Sequence, residues 1–170
     1  MGDPALFIGR FQPFHNGHLH ALKEVLAKEE KVFIVVGSAQ ASYMPSNPFT
    51  AAERIIMVQH VLNGLEIPCT RYLIIPVPDA HNYTLWVDHI RRYVPRFGIV
   101  YTGSKTGATL FSAQNIPVTK LTLYRKESYS GTEVRRRILE GEKWRSLVPK
   151  VVAELIDEFD GEKRLKSLSD

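Results

Sequence analysis

Five apolar residues follow one another without interruption, Val32-Phe33-Ile34-Val35-Val36, and the run stops at Gly37. Successive side chains of a strand point to opposite faces, so a run with no polar member is covered on both. This is the pattern of a central parallel strand with helices above and below it. Apolar stretches at 5–8, 71–76, 97–101 and 118–124 read as its companions.

The segments between them read as helices. Over 17–29, Leu19, Leu22, Val25 and Leu26 fall at the spacing of a buried stripe. Thr50-Ala51-Ala52-Glu53 is a capping-box pattern that opens a helix stopped near Gly64. Further helices are expected over 86–93, 130–140 and 149–159, with a short helical turn over 106–111. Ser130-Gly131-Thr132-Glu133 is a second capping-box pattern, and Gly141 is the expected stop. Pro76-Val77-Pro78-Asp79 ends regular structure, because proline lacks the amide donor a ladder needs.

The alternation predicts an α/β fold: a Rossmann-like parallel sheet of five or six strands, with helices on both faces and right-handed crossovers. A chain of 170 residues fits one domain over 1–170, with a core over about 5–160 and a polar tail over 161–170, of which 163–170 is expected to fray. Ligands of such sheets bind beyond the carboxyl ends of the strands. The loops 9–18, 37–47, 76–83, 101–107 and 127–132 all follow strands and are expected at that one edge.

Bulk properties narrow the function. The formal charge of +4 is mild, and no dense basic stripe, Cys/His spacing or recognition-helix signature supports nucleic-acid binding. The single cysteine, Cys69, leaves no intrachain disulfide and no cysteine-based metal cluster. No apolar run approaches the ~20 residues of a membrane span, and the first residues lack a signal-peptide pattern. The expectation is a cytoplasmic enzyme with no membrane partner.

The chemistry concentrates in Gly9-Arg10-Phe11-Gln12-Pro13-Phe14-His15-Asn16-Gly17-His18. His15 and His18 are three apart at a helix start and share one face. The free amides and dipole of that terminus attract an anion. Ordinary capping histidines would explain one imidazole better than two with Gly17 between them and Arg10 nearby. As a zinc site the pair is two ligands short.

Ser130 to Arg135 reads in two ways. A serine and glutamate three apart cap a helix, and Arg135-Arg136-Arg137 would then be its wet face. Alternatively Ser130, Thr132 and free amides hold phosphate oxygens while Arg135 offers its fork. Gly103-Ser104-Lys105-Thr106 fails the Walker A spacing, and Tyr101 to Ser104 reads better as strand-end backbone against a nucleoside. Asp79, Asn82 and Trp86 suit ribose, amide and flat-heterocycle contacts as well as they suit a turn and a core indole.

The two motifs resemble the signatures of the HxGH nucleotidyltransferase superfamily. The nearer resemblance is to archaeal-type nicotinamide-nucleotide adenylyltransferases, carried also by Gly37-Ser38-Ala39-Gln40, by Asn47-Pro48-Phe49-Thr50-Ala51-Ala52-Glu53-Arg54, and by Pro78-Asp79 through Trp86. It covers the chain to about residue 149. The resemblance implies that ATP and nicotinamide mononucleotide become NAD and pyrophosphate, with Mg2+, by direct in-line adenylyl transfer. It implies Gly9, Arg10, Phe11, His15, His18, Gly103, Ser130, Thr132 and Arg135 at ATP, with His15, His18, Arg10 and Arg135 catalytic. It implies Phe14, Ser38, Asn47, Asp79, Asn82 and Trp86 at nicotinamide mononucleotide, and a homo-oligomer, commonly a hexamer. The chain departs from the family at Ser42-Tyr43-Met44-Pro45, where related chains carry a histidine after the serine. The same scaffold also serves enzymes that adenylate pantetheine phosphate or flavin mononucleotide, or cytidylate alcohol phosphates. A nucleotide sensor without turnover is the non-enzymatic alternative.

Overall fold

The computed structural model describes residues 2–80, 82, 85–121 and 128–169. Five strands, β1 (Ala5–Gly9), β2 (Val32–Val36), β3 (Tyr72–Pro76), β4 (Ile99–Thr102) and β5 (Val118–Lys120), form one sheet in the order β3-β2-β1-β4-β5. Every pairing is parallel, with Phe7 opposite Ile34 on one side and Tyr101 on the other. The helices are α1 (Asn16–Lys28), α2 (Ala51–Gly64), α3 (Trp86–Tyr93), α4 (Lys105–Ala113), α5 (Gly131–Glu140), α6 (Lys150–Glu158) and α7 (Gly161–Ser169).

The unbroken apolar run behaves as its pattern demands: all five residues of β2 are buried. Val32, Ile34 and Val36 join the core built with Leu22 and Val25 of α1, Met57 of α2, Ile138 of α5, Ile156 of α6 and Leu165 of α7. Phe33 and Val35 face the other way, against Val87 and Ile90 of α3 and Phe111 of α4. Helices thus lie on both faces, and the Rossmann-like expectation holds. The chain runs β1, β2, β3 to one side and resumes at β4 on the other side of β1. The strand order therefore reverses between β1 and β4, where parallel sheets open a crevice for ligands.

Several boundaries shift for local reasons. Expected over 97–101, β4 begins at Ile99, because Gly98 is still tied to the Pro4 carbonyl at 3.0 Å while Phe97 packs against Phe111. The short turn expected over 106–111 is the full helix α4, since the Ser104 hydroxyl accepts the Gly107 amide and caps it. Residues 122–124 of the expected fifth strand, like 81, 83 and 84 of the loop before α3, lie outside the described residues. The polar tail needs a correction. Residues 161–169 form α7, anchored by fully buried Leu165 and by Arg164, whose guanidinium grips Glu53 through two bonds of 2.7 Å.

Candidate active site

The first motif turns from β1 into α1, and His15 is the N-cap, with extended backbone (φ −130°, ψ 171°). A serine or aspartate usually fills this position. Here the imidazoles do the work reciprocally. The His18 amide donates to His15 Nδ1, and the His15 amide donates to His18 Nδ1, each at 3.3 Å. Because both Nδ1 atoms accept, both neutral rings carry their proton on Nε2. The rings stack at 3.6 Å, and Phe11 and Phe14 close against His18 at 4.8 and 5.4 Å. Burial lowers His15 to about 4; burial, then its neighbour His15, holds His18 well below the usual imidazole range. Two uncharged Nε2–H donors therefore stand at this helix terminus at neutral pH. Gly17 allows it, since a β-carbon there would lie 3.0 Å from the His15 ring and 3.1 Å from the Tyr129 carbonyl.

The second motif comes to the first. Ser130 caps α5 by accepting the Glu133 amide at 3.1 Å. The expected return bond of a capping box is replaced, because Glu133 turns to Arg136 and Arg137. Those two arginines form a wet network with Glu133, Glu140 and Glu142. Arg135 parts company with them. Its Nη1 donates to the Gln12 carbonyl at 2.6 Å, and Nη2 reaches the Thr132 hydroxyl at 3.4 Å. Gly131 abuts the same carbonyl, where a β-carbon would come within 2.8 Å. Burial, then the charge of Arg10, lowers the Arg135 pKa.

Over the reversal point of the sheet lies a cavity of about 330 Å³, walled by Gly9, Arg10, Ser38, Asp79, Trp86 and Thr102 among others. Arg10 is exposed at its edge. Asp79 accepts from the Ser38 hydroxyl and the Gln40 amide, each at 2.9 Å, and its own amide donates to Gln40 Oε1. The half-buried Trp86 meets Phe111 edge-on at 5.2 Å. Asn82 lines a neighbouring groove of about 610 Å³ that shares Pro78 and Asp79 with the cavity. Gly103 is exposed between Thr102 and Ser104, both cavity walls.

Not every predicted residue faces this space. Phe14, expected at nicotinamide mononucleotide, is fully buried and backs the His18 ring. Phe11 is likewise 1% exposed, its ring lying under Gly9 and against His18. Asn47 is buried with its Nδ2 on Ser46, and its Oδ1 has no hydrogen-bond partner among the described residues. Ser38 spends its hydroxyl on Asp79.

Two residues without a predicted role prove central. Gln12 is buried and holds the Phe49 backbone at both ends, donating to its carbonyl at 2.8 Å and accepting its amide at 3.0 Å. Arg54 is completely buried and donates to four backbone carbonyls, those of Arg10, Gly37, Ser38 and Thr50. Among the described residues no three His, Cys, Asp or Glu side chains gather into a metal site, and no helix is long and apolar enough to cross a membrane.

The sequence matches the cytidylyltransferase-like family over residues 6–137. It is 44% identical over 165 residues to the nicotinamide-nucleotide adenylyltransferase of Methanolobus tindarius, covering 97% of this chain and 94% of that one. It is 44% identical over 164 residues to the enzyme of the same description from Thermococcus kodakarensis, covering 96% and 87%. A bifunctional NMN adenylyltransferase/ADP ribose pyrophosphatase from Francisella tularensis superposes with a TM-score of 0.82 at 24% identity. That likeness is one of fold; it covers 98% of this chain, which spans 53% of the bifunctional protein.

Proposed function

We propose, on the premise that the chain belongs to the archaeal-type nicotinamide-nucleotide adenylyltransferases, that it joins ATP to nicotinamide mononucleotide, releasing pyrophosphate and forming NAD. The observation that carries the reading is the bond from Arg135 to the Gln12 carbonyl, which unites both phosphate motifs beside the cavity walled by Asp79 and Trp86.

The attacking group is a phosphate oxygen of the mononucleotide, already largely deprotonated near neutral pH, since its second pKa is about 6. The bond from that oxygen to the α-phosphorus of ATP forms as the bond to the β-phosphate bridging oxygen breaks. No nucleophilic side chain is required. What the site supplies is alignment and charge. In this reading His15 and His18 direct their Nε2–H donors at the ATP phosphates without carrying charge. Arg10 and Arg135 provide positive charge, and Ser130, Thr132 and the backbone of Gly9, Phe11 and Gly103 complete the ATP side. Asp79, held by Ser38 and Gln40, receives the nicotinamide nucleotide with Asn82, and Trp86 stacks on the pyridine ring. The buried places of Phe14 and Asn47 leave them a supporting part.

Among the described residues no three His, Cys, Asp or Glu side chains gather, and magnesium is read as entering on the ATP phosphates, as part of the substrate. Family membership also supports a homo-oligomer, a hexamer by analogy, and a cytoplasmic setting.

The test offers ATP and magnesium with nicotinamide mononucleotide, flavin mononucleotide or pantetheine phosphate, and identifies products by mass. NAD from the first alone is the expected result. Turnover with another acceptor, or none despite ATP binding, overturns the reading.

A further inference from the structure

We infer that Arg54 is a buried cation of the nucleotide site, a positioning residue whose fork holds the two turns that wall the cavity and whose charge draws phosphate from one peptide layer behind it. The inference rests on the nucleotide-transfer reading above.

Three of the four carbonyls that accept from Arg54 belong to cavity-wall residues. Nη1 donates to Arg10 at 2.8 Å and to Gly37 at 2.7 Å, and Nη2 donates to Ser38 at 3.1 Å. Nε donates to Thr50 at 3.1 Å, which fixes the fork to the first turn of its own helix. One guanidinium therefore ties the end of β1 to the end of β2. Both turns need holding. Phe11, next to Arg10, has φ 53°, and Ser38 has φ 49°. Side chains other than glycine adopt this left-handed region rarely, and they persist there where surroundings over-determine them.

The charge is unusual in its company. Among the described residues no carboxylate makes an ion pair with Arg54. The charged groups it senses are Asp79 across the cavity wall, Arg10 on the same wall and Glu53 beside it on α2. Asp79 is spoken for by Ser38 and Gln40, and Glu53 by Arg164. Carbonyl dipoles alone would suit a structural clamp. The clamp is set behind Arg10, whose like charge opposes it, while Asp79 and Glu53 favour it; a phosphate in the cavity would add to that attraction. Burial lowers Arg54 to about 10, which leaves it charged at neutral pH.

The pH dependence of a lysine at this position separates charge from clamp, since losing the planar fork weakens the clamp equally at every pH. The same burial lowers a lysine below its usual value of roughly 10.4, so that Arg54→Lys loses its charge at a lower pH than arginine does. The affinity of wild type and Arg54→Lys for inorganic pyrophosphate is measured by calorimetry at pH 7, 8 and 9. Their ratio cancels the ligand's own titration. The expected result is a variant-to-wild-type ratio that falls a further ~10-fold between pH 7 and pH 9, the order expected of one nearby charge at an effective dielectric near 20. A folded variant whose ratio is flat with pH overturns the inference while leaving the transfer reading intact. Wild-type protein that binds no pyrophosphate overturns both. If lysine does not support folding, the protected Nε–H resonance of wild-type Arg54 answers instead: a shift on adding pyrophosphate is expected, and an unmoved resonance overturns the inference.

Discussion

Between pH 7 and pH 4 the protein should lose about 3 kcal/mol of stability through His15 alone. The ring caps α1 only while its Nδ1 is unprotonated, and burial holds its pKa at about 4 against 6.5 for an unperturbed imidazole. As pH falls below 6.5 the unfolded chain takes up a proton that the folded chain refuses. Each such pH unit costs about 1.4 kcal/mol, and the loss levels off below about 4, where both states are protonated. The stabilisation is therefore present above 6.5 and lost downward; His18 adds to it in the same direction. The control is His15→Asn, which places an acceptor oxygen near the position of Nδ1, keeps a preferred cap and does not titrate. Urea unfolding at pH 7, 6, 5 and 4 should show wild type losing about 3 kcal/mol more than the variant. Nitrogen NMR should find both rings as Nε2–H tautomers at pH 7. Parallel loss of stability in the two proteins, or a His15 ring titrating near 6.5, would refute the cap.

Gly17→Ala should lower both the melting temperature and kcat, because the new methyl crowds the capping His15 ring at 3.0 Å and the Tyr129 carbonyl at 3.1 Å; a steady-state assay showing undiminished kcat rejects that ring position. Trp86→Ala should raise KM for nicotinamide mononucleotide by a factor corresponding to ~1–3 kcal/mol with kcat little altered, and an unchanged KM removes the stacking role. Arg164→Met should cost about 3 kcal/mol in denaturant unfolding, since it strands Glu53 in a pair whose side chains are each 15% exposed. A cost below 1 kcal/mol would place the pair with solvent-screened surface bridges.

What could be read from residues alone was whatever is decided locally. The β2 run carries its two covered faces in its own pattern, and Thr50 and Glu53 announce a helix start that the structure builds in full, with the Thr50 amide on Glu53 and the Glu53 amide on Thr50. The two histidines were legible as a pair, but their mutual capping was not, because imidazoles seldom take that place. What stayed hidden depends on distant partners. Nothing near Arg54 marks it as buried, and an arginine after a capping box reads as solvent-facing. Its acceptors are carbonyls, which sequence does not distinguish. Arg135 differs from Arg136 and Arg137 only through a carbonyl 123 residues away. Phe14 sits within the motif and so looked functional, whereas its ring supports the histidine from behind. In α7 two leucines, Leu165 and Leu168, among polar residues make too faint a stripe to predict the helix.

That last helix has a consequence in time. Arg164 meets Glu53 across 111 residues of chain, and Gly161 presses on Phe49, whose backbone Gln12 holds. A ribosome delivers both motifs, 9–18 and 130–135, before it delivers α7. The nascent chain would thus carry every residue expected at ATP while the segment behind them still lacked its brace. The start of α2 is braced last, so an interrupted synthesis would leave a protein with its chemistry written and that support missing.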